Sequence, residues 1–445
     1  MSRPNFQRIS VAILFLLASL PVFSDSQVRI VRLSYIDGSV QIARDSEQGY
    51  EKALLNLPIS QGTKLRSMDG GRAEVEFEDG STIRLAPNSA VEFPQLSLRD
   101  SGSKVSAVEV KQGTVYVDFA SAKHEEFMVL FGHEKLMLTH SAHLRIGVDD
   151  EDATVVVFKG DIQIEGASGT VNVAKNQTAD FDLSDSDNDR HTLAKSIQQE
   201  PYDDWNKQQD QYHLRYASNS YTSYSPYAYG ASDLGYYGNF FNAPGYGMMW
   251  QPYFAGMGWD PFMDGAWAFS PGWGFGWVSA YPWGWTPYHY GTWVFLPGYG
   301  WAWQPGGAWT TWYAQPRILN PPKGFALPQA PATGTKTVTV NHGPAPTLAN
   351  QSGSKLVIRS NSAGLGVPRG EITDLARISQ QAQQRGKVSI HTTPVSQTPS
   401  WGRGDGISRG SASRGAEPSS RGNSASEPAT THTAPPPSSL GRAHK

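Results

Sequence analysis

The chain has 445 residues with no cysteine, 45 glycines, 30 prolines, 17% charged side chains and a formal net charge of −3. The lack of thiols excludes disulfide scaffolds, thiol catalysis and cysteine-based metal sites, and the glycine and proline content argues that part of the length is not compact. Charge is divided unevenly: residues 25–325 carry a net −13 and residues 326–445 a net +8, an acidic body with a basic tail.

At the N-terminus, Arg3 and Arg8 precede an apolar run from Ile9 to Phe23 that ends at Val22-Phe23-Ser24, a pattern suited to signal peptidase. Residues 1–24 are expected to be a signal peptide cleaved after Ser24, because the run is shorter than the roughly 20 residues that cross a bilayer and contains Ser19 and Pro21. A retained anchor is the competing reading. The mature chain is expected to be periplasmic or secreted, with no transmembrane segment.

Residues 27–185 read as successive strands. Ala73, Val75 and Phe77 alternate with Glu74, Glu76 and Glu78, the period of two of a sheet with one wet face. Asp79-Gly80 then supplies a hairpin turn, and similar units are expected around Gln112-Gly113 and Lys159-Gly160-Asp161. The pattern predicts a mainly β domain, with a sandwich, a barrel and a β-helix all compatible.

Certain residues in this region resemble the FecR domain. They are Gly38-Ser-Val40, Leu65-Arg66-Ser67, Gly71-Arg72-Ala73-Glu74-Val75, Asp79-Gly80-Ser81, Gly113-Val115-Val117 and Val157-Phe158-Lys159-Gly160-Asp161-Ile162. The best-known members form the periplasmic part of an iron-citrate signalling regulator. In signalling members a cytoplasmic portion that contacts a sigma factor and one membrane span come first. Here an apolar leader directly precedes the β-domain, and Ala142-His143-Leu144-Arg145 stands where the family has Gly-Thr-x-Phe. The resemblance therefore implies an extracytoplasmic module, with ligand sensing beside a membrane partner as the alternative role.

Residues 186–249 are expected to hold a short helix and a Tyr/Gly-rich linker. Tyr202, Trp205, Gln209 and Tyr212 fall on one helical stripe that packs on a neighbouring domain or binds a partner. Residues 250–320 follow as a Trp/Gly-rich module. Twelve of the fourteen tryptophans lie between Trp250 and Trp312 with only two charged residues, Asp260 and Asp264. The segment Trp259 to Trp277 returns as Trp285 to Trp303, each matched position shifted by 26. Pro271-Gly272 and Pro297-Gly298 mark the turns of two hairpins that share an aromatic core. Tyr281, Trp283, Trp285, Tyr288 and Tyr290, between the repeats, are the candidate exposed rings for a glycan, a protein partner or self-association. The block resembles a Trp/Gly-rich domain of unknown function that accompanies FecR domains.

The Pro/Ser/Gly/Arg-rich tail, residues 321–445, is expected to be mostly disordered apart from a short helix between Glu371 and Ala382. His133, His140 and His143 do not share a strand face, Asp149 to Asp152 read as an acidic turn, and no nucleophile or phosphate-loop motif stands in a suitable context. The sequence therefore predicts a non-enzymatic structural or binding protein of the cell envelope, with no catalytic residue, metal, cofactor or nucleic-acid partner. Its expected partners are an envelope glycan or another envelope protein.

Overall fold

The computed structural model describes residues 29–44, 49–120, 125–184, 190–217, 225, 227–270, 274–307, 316–332, 339–341 and 355–391. The expected signal peptide and the tail beyond residue 391 lie outside them.

Among these residues, seventeen strands from Val31 to Ala194 are joined by hydrogen bonds. Their pairings are antiparallel except that Glu125–Phe131 runs parallel to the start of Lys104–Phe119. The latter strand belongs to both layers of the domain: its first half pairs with Ala90–Leu98 and its second half with Ala142–Val148. One layer sends Val40, Leu65, Phe93, Val110, Phe131 and Ile164 into the core, and the other sends Leu33, Val75, Ile83, Val117, Ile146 and Val155. Two layers closing on one aliphatic core make the domain a sandwich, the first of the three expected architectures.

The glycine turns divide into two kinds. Asp79-Gly80 joins a true hairpin, Arg72–Glu76 with Thr82–Leu85. Gly113 and Gly160, expected at hairpin turns, instead mark where the chain passes from one layer to the other. Both have positive φ, +80° and +86°. A Cβ there would meet Asn88 O at 2.5 Å and Ser141 O at 2.7 Å, so a side chain would block the crossing.

The alternation over residues 73–77 is observed, but its polar face is not wet. Glu74 and Glu76 are buried, as are Arg32 and Arg84 on neighbouring strands. The helix Asp203–Tyr216 covers this face with the predicted stripe, burying Trp205, Gln209 and Tyr212. Arg145 Nη1 reaches both carboxylate oxygens of Asp203 at 2.7 Å, and Tyr116 Oη donates to the same group at 2.8 Å. Arg84 Nη1 donates to Asn206 Oδ1 at 2.6 Å. Charges that would face water in an isolated sheet are thus paired and desolvated together.

The aromatic unit begins earlier than residue 250. The helix Ala231–Tyr237 leads into a hairpin, Gly238–Ala243 with Gly247–Pro252. Two further hairpins follow, Gly265–Ser270 with Gly274–Ser279 and Thr292–Leu296 with Gly300–Gln304. Both expected hairpins form, with Trp267 opposite Trp277 and Trp293 opposite Trp303. In all three hairpins a glycine lies beneath the tryptophan twelve positions later: Gly238 under Trp250, Gly265 under Trp277, Gly291 under Trp303. A Cβ on these glycines would stand 2.4, 2.3 and 2.6 Å from the ring. Pro244-Gly245-Tyr246-Gly247 matches Pro297-Gly298-Tyr299-Gly300, so the module holds three copies of the unit rather than two.

A further departure is at residues 355–391, where the expected short helix lies within a paired segment rather than a disordered tail. Lys355–Arg359 pairs with Lys387–His391, and Leu375–Arg385 forms the helix between them. Asp374 caps that helix by accepting from Arg377 N. Leu356, Ile358, Val367, Ile372, Leu375 and Ala382 are buried in the same core as the tryptophans. Apolar spacing on two very short strands and one helix is enough, because the ring core supplies the surface against which they pack.

A buried ion lattice and a cleft between domains

The five rings expected to be exposed are not. Tyr281 and Trp283 are fully buried, and Trp285, Tyr288 and Tyr290 retain 2%, 2% and 9% of their exposure. Tyr281 stacks on Trp283 with ring centroids 5.0 Å apart and planes at 6°. Tyr281 Oη donates to Asp264 Oδ2 at 2.9 Å and accepts from Trp259 Nε1 at 2.8 Å. Trp283 Nε1 donates to Ala363 O at 2.7 Å, and Tyr288 Oη donates to Pro261 O. Tyr281, Trp283, Tyr288 and Tyr290 have become core because they share it with the helix Ala231–Tyr237 and the late segment 355–391, and Trp285 packs against Tyr229 and His289. Neither covering element was part of the module predicted from the repeat.

What the structure brings together instead is a set of charges between the two domains. Glu74 accepts from Arg84 Nε at 2.7 Å and Arg369 Nη1 at 2.7 Å, with His213 Nε2 at 3.1 Å. Asp233 stands 2.7 Å from Arg32 Nη1 and 3.3 Å from Arg369 Nε, and accepts from Tyr212 Oη at 2.7 Å. Arg32 continues to Glu76 Oε2 at 3.2 Å and donates to Pro282 O at 2.7 Å. Nearby, Asn56 Nδ2 donates to the carbonyl oxygens of Ser279 and Tyr281.

Burial pushes the Glu74 carboxyl up, but Arg369, His213 and Arg84 outweigh it and hold it well below the usual carboxylate range. Burial raises Glu76 against a smaller opposing pull from Arg32. For Arg369, burial opposes the charge, yet Glu74 and Asp233 keep the guanidinium charged. The lattice therefore joins residues from the sheet, the helix Asp203–Tyr216, the module and the segment near residue 369.

Beside this lattice lies a cleft of about 170 Å³. Four stretches distant in sequence line it: the end of strand Val31–Asp37 with residues 52–55, Asp233 and Tyr237 of the helix Ala231–Tyr237, residues 265–266 and 278–282 of the module, and residues 364–369. Tyr35, Leu54, Tyr237, Pro282, Leu365 and Val367 make most of its lining apolar, and Asp37, Lys52, Asp233 and Arg369 are its charged members. The stretch 363–367 is pinned over the module: Ala363 N donates to Phe254 O at 3.1 Å, Tyr237 Oη to Val367 O at 3.0 Å, and Trp283 Nε1 to Ala363 O. Gly364 at φ +92° and Gly366 at +73° permit this path.

Sequence reasoning missed Arg369 and Asp233. Arg369 sits in a stretch whose glycine and proline content reads as tail, and Asp233 in one that reads as linker. A usable signal lay in Glu74 and Glu76, whose face needed cations once it was covered.

The histidine and acidic motifs of the β-domain are tied into its fold. His143 lies 2.7 Å from Asn206 Nδ2 and 3.3 Å from Asp210, tied under the helix. Asp149 Oδ1 accepts from the amides of Glu151 and Asp152, an ordinary turn. Among the described residues no group of three or more His, Asp or Glu side chains is placed to hold a metal, and no helix is long and apolar enough to cross a membrane.

Two crystal structures from Parabacteroides distasonis, each described as a "putative anti-sigma factor", share 15% and 14% identity with this chain at a TM-score of 0.26. The matches cover 30% of this chain and 59% of those chains. No curated protein matches the chain. Two family models do match, one to each domain. The chain carries a FecR protein domain over residues 63–163 and a domain of the family of unknown function DUF6600 over residues 231–320.

Proposed function

We propose that this chain is a non-enzymatic, extracytoplasmic ligand-sensing component of FecR type. In this reading the cleft between its two domains takes a ligand, and the ion lattice beside it couples occupancy to the β-domain surface that a membrane partner reads. The observation that carries it is the cleft, formed where four stretches distant in sequence meet, the kind of place where small-molecule sites occur. The FecR match supports the role, since proteins of that family act with membrane partners. Mutual pairing of Arg369, Glu74 and Asp233 supports binding rather than turnover, because none of the three is free to exchange protons with a substrate.

The test is genetic. Deleting the gene should change a discrete set of transcripts, restored by the wild-type chain and not by Ala280→Phe, which narrows the cleft at a half-buried lining position. Unchanged transcription on deletion would overturn the sensing role.

A second reading, contact with an envelope glycan, is favoured by one observation. Tyr299 is 53% exposed and stacks on Phe241 at 5.4 Å and 16°, at the tips of the first and third hairpins. Sedimentation with peptidoglycan and insoluble polysaccharides that is lost in Tyr299→Ala would support it.

A further inference from the structure

We infer that the cleft takes an uncharged, largely apolar, flat molecule of one or two fused rings. The inference rests on the cleft being the ligand site of the sensing component proposed above. Size comes first. A dry apolar cavity of about 150 Å³ holds benzene, and this cleft of about 170 Å³ has room for a molecule of indole size but not for a disaccharide or a peptide.

The lining chemistry comes second. Tyr35, Ile36, Tyr237, Ala266, Val278 and Leu365 contribute aromatic rings and aliphatic groups. Of the four charged residues at the cleft, Asp37 is paired with Arg72 and Lys52 is exposed to solvent, and the two with buried side chains are already committed. Arg369 is shared between Glu74 and Asp233, with its guanidinium 4.4 Å from the Tyr212 ring centre. Asp233 is held by Arg32, Arg369 and Tyr212. An anionic ligand seated against Arg369 would have to displace Glu74 or Asp233 from it, leaving a buried carboxylate unpaired, and a cationic one seated against Asp233 would have to displace Arg32 or Arg369. Ser34, which also lines the cleft, donates its hydroxyl to Glu74 Oε1 at 2.7 Å and is likewise occupied.

Calorimetric unfolding of the full mature chain, with indole, toluene, benzoate, citrate and N-acetylglucosamine as probes, tests this. Indole and toluene should raise Tm by about 5 °C at a hundredfold excess over their dissociation constants, and the other three should leave it unchanged. Ala280→Phe, and independently Leu54→Ala, should weaken indole binding at least about tenfold; the second variant keeps the test valid if the first does not fold. A shift with benzoate, citrate or N-acetylglucosamine that Ala280→Phe removes would overturn the ligand class and leave the sensing role standing. No shift with any probe would overturn the ligand class. If Ala280→Phe also restored transcription fully in the deletion strain, the role assigned to the cleft would fall with it.

Discussion

The β-domain and the aromatic unit solve the same problem, burying enough surface to hold a fold, with different material. The sandwich is built from small aliphatic side chains placed every second residue along strands close in sequence, so each contact is announced by its neighbours. The aromatic unit is built from large rings on three short hairpins, and its core is finished by a helix at 231–237 and a segment at 355–391. Rings bury much surface per residue, roughly 150–250 Å² each, so few positions suffice and they can be far apart. The difference teaches where sequence reading works: a core repeated locally is legible, and a core assembled from distant pieces is not.

Particular residues show the division. Val75, Phe77, Ile83 and Leu85 were readable as one sheet face, and Trp267, Trp277, Trp293 and Trp303 as hairpin partners. The burial of Tyr281 to Tyr290 was not readable, because the surfaces covering those rings come from stretches with linker-like and tail-like composition. Glu74 and Glu76 were placed on the correct face and assigned the wrong surroundings. Period-two alternation fixes which side a residue is on, and says nothing about what covers that side.

The comparison breaks most directly at Arg369, where the two units meet. Arg369→Ala leaves Glu74 and Asp233 short of a cation inside the molecule and should cost about 3–5 kcal/mol. Denaturant unfolding should then resolve two transitions where the wild type shows one, the aromatic unit melting first. A single transition with unchanged midpoint would mean that the lattice does not couple the units.

Next in size are substitutions inside each core. Trp293→Ala should cost about 3–5 kcal/mol and Leu144→Ala about 2–5, since both are fully buried. If the units fold as one body, the two variants shift the same transition, whereas independent units would show each shift in one transition only. A smaller loss, about 1–3 kcal/mol, is expected for Gly265→Ala, whose Cβ would stand 2.3 Å from the Trp277 ring. Gly258→Ala, with nothing within 4 Å, is the control. Equal stability of the two glycine variants would show that the glycine beneath the ring is not required.

The last comparison is in pH, where the two units should respond with opposite sign. In the β-domain, burial and then Asp79 push the Glu125 carboxyl up to about 7, against the opposing pull of Lys104 at 2.8 Å. Its folded pKa lies above the ordinary value of 4.5, so the folded state binds more protons between about 4.5 and 7. The resulting stability is complete below about 4.5 and is lost as pH rises through 7. Solvent reaches this half-buried group, which limits the effect to about 1 kcal/mol. In the aromatic unit, burial and then the Arg32 charge lower the His289 imidazole from 6.5 to about 3. There the unfolded state binds more protons, so this contribution is complete above about 6.5 and is lost as pH falls toward 3. Between about 4.5 and 6.5 the two slopes oppose each other. Glu125→Gln should therefore leave a chain whose stability rises more steeply with pH over that interval, and His289→Gln one whose stability falls. Midpoints of denaturant unfolding from pH 4.5 to 7.5 measure both, and parallel profiles for the two variants would show that these groups do not set the pH response of their units.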